Sequence, residues 1–153
     1  MKKKVFLILT ILWMIFIFYM SNQPASISAS QSGGFIGMLC NIPVIGIVIK
    51  DLMKIGIAEF LIRKSAHMFL YFVLAILIYN AINKDGRLKA YLLSLLLTAL
   101  YACTDEFHQL FITGRSGELR DILVDSTGAL IGLLLIFVIR KLIYNKKVRS
   151  LNK

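Results

Sequence analysis

The residues able to do chemistry gather between Tyr101 and Phe111, where Asp105, Glu106, His108 and Gln109 close one apolar run, and at Arg115, Asp121 and Asp125, which lead into the next. On a helix, Tyr101, Asp105 and His108 stand at i, i+4 and i+7 and share a face, with Gln109 four residues beyond Asp105. An aspartate beside a histidine orients the imidazole and raises its basicity, as a general base requires. The same pair suits a divalent metal ion. Glu106 lies about 100° round the helix from Asp105 and is expected to point elsewhere. The rival to both uses is a polar network that only fastens helices together. A charged side chain at a bilayer centre costs about 2.5–3.5 kcal/mol, so unpaired placement there is disfavoured.

A second group precedes it. Arg63, His67 and Tyr71 recur at i, i+4 and i+8, and Lys64 lies three residues before His67. One helical stripe thus carries two cations, an imidazole and a phenol, a set that suits phosphate or carboxylate. Simple snorkelling of Arg63 and Lys64 to an interface is the alternative. Thr113-Gly114-Arg115-Ser116-Gly117 reads as a hinged loop presenting Arg115, either as an anion clamp or as a surface turn. Asp121 and Asp125 share a face, and Gly128 and Gly132 continue it with small residues that let a neighbouring helix approach closely. Cys103 is expected to be a buried small hydrophobe. Cys40 and Cys103 form no CxxC pair, so no zinc ribbon or redox motif is indicated. No cofactor motif is evident.

The elements that hold these residues are set by composition. Hydrophobic residues make up 58% of the 153 and charged ones 17%, against roughly 45–50% and 25% in soluble domains. The mean hydropathy is +0.78. Four apolar runs are long enough to cross a bilayer, at about 5–22, 65–82, 90–108 and 122–139. The first follows Lys2-Lys3-Lys4 and reads as an anchor; a signal peptide cleaved near Ser28-Ala29-Ser30 is the rival. Ser26 to Gly34 reads as a Ser-rich loop. The stretch from Phe35 to Ile49, broken by Gly37, Asn41, Pro43 and Gly46, reads as a re-entrant or interfacial segment. Lys84-Asp85-Gly86-Arg87 reads as a turn. The expectation is therefore one all-α domain over 1–153, an integral membrane four-helix bundle with an added interfacial or re-entrant helical segment.

Charge orients it. With the amino end inside, the cytoplasmic segments hold Lys2, Lys3 and Lys4, then Lys84, Arg87 and Lys89, then Arg140, Lys141, Lys146, Lys147, Arg149 and Lys153. That is twelve of the 18 basic residues, accompanied by Asp85 alone among the acids. A fifth crossing would put the basic carboxyl end outside, against the rule. The formal charge of +10 is then membrane topology and attraction to anionic lipid rather than a nucleic-acid surface. Arg63, Lys64, His67, Asp105, His108, Gln109, Arg115, Asp121 and Asp125 all fall at the outer face, away from cytosolic cofactors.

Arg63-Lys64-Ser65-Ala66-His67 leading to Tyr71, Thr104-Asp105-Glu106-Phe107-His108-Gln109, Gly114-Arg115, and Asp121 to Asp125 with Gly128 resemble the VanZ-like membrane protein family. Ser21-Asn22-Gln23 after the first run also fits, whereas residues 24–60 carry none of the resemblance. The resemblance implies a bacterial cytoplasmic-membrane protein linked to resistance to teicoplanin-type glycopeptides, or one serving envelope maintenance. Three functions follow as expectations. The first is an enzyme acting on a lipid-linked cell-wall precursor at the outer leaflet. In it Arg63, Lys64, Arg115 and Gln109 hold an anionic head group, His67 or His108 moves a proton, and Asp105, Asp121 and Asp125 orient it or bind a metal. The second is a non-catalytic binder of membrane lipid or glycopeptide. The third is a structural polar core.

Overall fold

The computed structural model describes residues 2–83 and 87–151, so the expected turn at 84–87 lies outside the described residues except for Arg87. Six α-helices and no strands occur among the described residues: α1 (Lys2–Ser21), α2 (Ala25–Cys40), α3 (Pro43–Lys54), α4 (Ala58–Ile82), α5 (Leu88–Gln109) and α6 (Leu119–Leu151). Four of them, α1, α4, α5 and α6, are long and apolar enough to cross a membrane. Their outward faces carry exposed large apolar side chains along their length, including Leu9, Leu12 and Phe16 on α1 and Leu92, Leu96 and Leu100 on α5. A water-soluble bundle would hide such a surface, whereas a hydrocarbon layer matches it. The protein is a multi-pass, all-helical membrane protein.

The centre of the bundle is α4, which packs most extensively against α6 and also against α1 and α5. Two apolar clusters hold these contacts. One joins Ile17, Tyr71, Leu74, Ile78 and Ala102 across α1, α4 and α5; the other joins Ala75, Tyr79, Ala129 and Leu133 across α4 and α6. Directional bonds add to them, because water is absent from a bilayer core and a protein acceptor takes its place. The indole of Trp13 donates to the Leu70 carbonyl (2.9 Å), and the Tyr101 hydroxyl donates to the Met14 carbonyl (2.7 Å). These bonds tie α1 to both of its neighbours.

The small residues of α6 set its distance from α4. A Cβ on Gly128 would collide with the backbone carbonyl of Met68, and one on Gly132 would lie 2.6 Å from the carbonyl oxygen of Phe72. The two backbones are therefore in direct contact, as expected where small residues recur every four positions. Met68 follows His67, and Gly128 is three residues past Asp125. The close approach sets these two side chains against each other.

The region between α1 and α4 differs from its expected form. Ser26 to Gly34 is helical, not a loop. Pro24 precedes α2, the Ala25 amide donates to the Thr113 carbonyl (3.2 Å), and Ser32 Oγ donates back to the Ser28 carbonyl (3.0 Å). Ser32 therefore has a partner within the helix, so its hydroxyl does not draw the backbone out of helical bonding. Pro43 starts α3, and Ile36, Ile49 and Ala58 form a small separate core that joins α2, α3 and α4. Cys103, expected inside, is exposed on α5. The inward positions around it belong to Ala102, Asp105 and Glu106.

Candidate functional site

At one end of the bundle the carboxyl ends of α1 and α5 meet the amino-terminal parts of α2, α4 and α6. Five helices therefore meet in a single region. Asp105 and Glu106 on α5, Gln109 on α5 and Asp125 on α6 are all buried there, with Asp105 4%, Glu106 3% and Asp125 0% exposed. His67 on α4 faces Asp125, with 3.8 Å between Nδ1 and Oδ1. Lys64, one turn earlier on α4, forms an ion pair with Asp121 on α6. Tyr71, one turn later, is fully buried beside Tyr101.

Glu106 does not point elsewhere, as its position on the helix had suggested. The loop after α5 folds back over it, so that Glu106 Oε2 accepts from the Glu118 amide (3.0 Å). Gly117 makes that fold possible, since a Cβ there would lie 2.5 Å from the Glu106 carbonyl oxygen. Gln109 spans both acids: its Nε2 lies 3.4 Å from Asp105 Oδ2 and 3.4 Å from Glu106 Oε1. Two neighbours in sequence, on faces about 100° apart, thus enter one network because helices cover α5 on one side and a loop covers it on the other. Gln109 stands at i+4 from Asp105 and i+3 from Glu106, and that double spacing was the sequence signal for the connection.

Arg115 clamps the region from the loop. Its Nε donates to the Gln23 carbonyl (2.9 Å), one terminal nitrogen lies 3.4 Å from the Met20 carbonyl, and the other lies 3.5 Å from Gln109 Oε1. The guanidinium thus closes the open end of α1 and reaches the acid-bearing end of α5. Burial lowers its pKa from the ordinary value and the charge of Asp105 opposes that shift, leaving an arginine that stays protonated. His108 stands apart from the group. Its Nε2 is 3.1 Å from Asn22 Oδ1, and its ring lies 4.7 Å from that of Phe18, so it fastens α5 to the end of α1.

Two cavities meet at this cluster. The larger, about 430 Å³, lies between α1, α2 and α4, and its walls are mainly apolar, with Ile17, Phe35, Ile62, Phe69 and Leu70 among them and Ser28, Gln31 and Ser32 from α2. The smaller, about 220 Å³, is polar and carries Arg63, Lys64, Arg115 and Arg120. Arg63, His67 and Arg115 line both. No acid among the described residues forms an ion pair with Arg63, whereas Lys64 is held by Asp121 and Arg120 by Glu118 (2.9 Å). One cation therefore stands uncommitted where the two cavities join.

Buried ionisable groups from three crossing helices, beside a basic opening, define a multi-pass membrane protein with its polar site at one end of the bundle. The chain belongs to the VanZ/LLP1 family, whose model matches residues 6–140. The basic carboxyl-terminal end of α6, beyond Arg140, lies outside the match. No curated protein and no solved structure is significantly similar to the chain.

Proposed function

We propose that this VanZ-like protein recognises an anionic amphiphile, a lipid-linked cell-wall precursor or an anionic lipid, at the outer leaflet of the bacterial cytoplasmic membrane. The observation that carries this reading is the junction of an apolar cavity with a basic one through Arg63, His67 and Arg115. The apolar cavity suits hydrocarbon, and the basic cavity suits phosphate or carboxylate. Arg63 would meet the head group and Arg115 and Gln109 would frame it, with His67, Asp105 and Asp125 close by. The outer-leaflet reading is supported by the bias of basic residues toward the opposite end, which favours cytoplasmic termini. It also explains how such a protein would bear on teicoplanin-type drugs, whose targets are exposed at that leaflet.

The test uses the purified full chain in detergent and native mass spectrometry. Phosphatidic acid should be retained and diacylglycerol, the same hydrocarbon without the phosphate, should not. Arg63→Gln should weaken retention by about tenfold or more, the loss of one charge-assisted bond. Equal retention of the two lipids overturns the reading. Lipid profiling of cells with and without the protein then separates turnover, seen as a changed species, from capture, seen as a bound but unaltered one.

A further inference from the structure

His67, Glu106 and Asp125 come from three different helices, yet each offers a ligand atom within 4.8 Å of the other two. Two ligands on opposite sides of one ion stand about 4–5 Å apart, given bonds of about 2.0–2.5 Å. Proximity of acids alone would mean little. The second observation is that Asp125 is completely buried and neither of its oxygens has a hydrogen-bond partner. His67 Nδ1 and Asp105 Oδ1 are likewise buried and unpartnered. Interior polar atoms nearly always have partners, and a carboxylate without one is among the most costly groups to bury.

The cations nearby do not supply the missing charge. Lys64 is held by Asp121, Arg115 donates to the carbonyls of Met20 and Gln23 and to Gln109, and Arg63 forms no ion pair with an acid among the described residues. The remaining oxygens of the cluster are oriented rather than neutralised: Glu106 is fixed by the Gln109 side chain and the Glu118 amide. Carboxylates held in this way by outer neighbours are what a metal site requires around its ligands.

We infer that His67, Glu106 and Asp125 bind one divalent cation of the zinc or manganese class. Two carboxylates and an imidazole carry a formal charge of −2, which a divalent ion balances. The mixed nitrogen and oxygen set fits zinc and manganese better than the all-oxygen sites of calcium and magnesium. Three protein ligands leave at least one coordination position unfilled. His67 also lines both cavities, so that position is within reach of whatever occupies them.

The full chain in detergent is stripped with a chelator and dialysed against Zn2+ or Mn2+ separately, and bound metal is measured by mass spectrometry. The wild type should take up one ion per chain and unfold at a higher temperature with the ion than without it, because the folded state alone holds the site. Asp125→Asn and Glu106→Gln should each weaken uptake by about 100-fold or more, as loss of a ligand exceeds the 10–100-fold of an outer neighbour. Asp51→Asn, in an exposed pair with Lys54 on α3, should leave uptake unchanged. Should a ligand variant fail to fold, the thermal shift of the wild type still decides. No uptake above that of protein-free micelles, or equal uptake by a folded Asp125→Asn, overturns the site; the latter marks an adventitious ion only. Retention of phosphatidic acid is a separate readout resting on the basic cavity, so either result can fail without the other.

Discussion

Gly128→Ala is the sharpest test of how the site is assembled, because it adds one methyl group at the contact between α6 and α4. Ordinary contact for a Cβ begins near 3.4 Å, and a methyl at Gly132 would already be 2.6 Å from the Phe72 carbonyl. The helices would have to part there by about 0.8 Å, the difference of those distances. At Gly128 the overlap with the Met68 carbonyl is more severe, and it occurs against backbone, which cannot rotate away. Overpacking of this kind costs about 1–3 kcal/mol. For a chain of this size that lowers the melting temperature by roughly 2–4 °C per kcal/mol. The same displacement should widen the 3.8 Å gap between His67 and Asp125 and weaken any ligand bound between them. Thermal unfolding of the purified protein measures the first effect and metal uptake the second. Gly37→Ala is the control, since a Cβ at Gly37 meets nothing within 4 Å. If Gly128→Ala unfolds with the wild type while Gly37→Ala does the same, the close packing of α4 and α6 does not hold the site together.

Two other outcomes follow from the contacts. Arg115→Gln removes the charged donor to the Gln23 and Met20 carbonyls, and should cost about 1.5–3 kcal/mol and open the carboxyl end of α1 to limited proteolysis; unchanged cleavage there would refute the clamp. A double-mutant cycle on Lys64 and Asp121, a partly buried pair joining α4 to α6, should show a coupling of about 0.5–3 kcal/mol in thermal unfolding, and additive effects would remove the pair from the account.

Much of this architecture is legible in the chain. The four apolar crossings are written as uncharged runs, and the glycines of α6 mark the face that meets α4. The polar positions of α4, α5 and α6 fall at one end because the runs end there. What single-helix geometry misses is how neighbours cover a helix. His108 shares the periodicity of Asp105, yet the end of α1 claims it through Asn22 and Phe18. Glu106, offset from that face, is drawn in by Gln109 and the returning loop. Ser28 and Ser32 of α2 look like loop residues by type, but Ser32 bonds back to the Ser28 carbonyl and both belong to a cavity wall. The Asn22 and Phe18 contacts of His108 and the loop that returns to Glu106 come from residues distant in sequence, which periodicity does not encode.

The outer wall of the larger cavity has a consequence for the proposed amphiphile. It is built partly from α2, a short helix that packs against α3 and α4 but not against α1, and the exposed rings of Phe35 and Phe69 stand at its edges. An amphiphile would slip in sideways from the hydrocarbon layer instead of descending from water. Its loading would then follow its surface density among neighbouring lipids, so a soluble head-group fragment at equal bulk concentration should compete poorly.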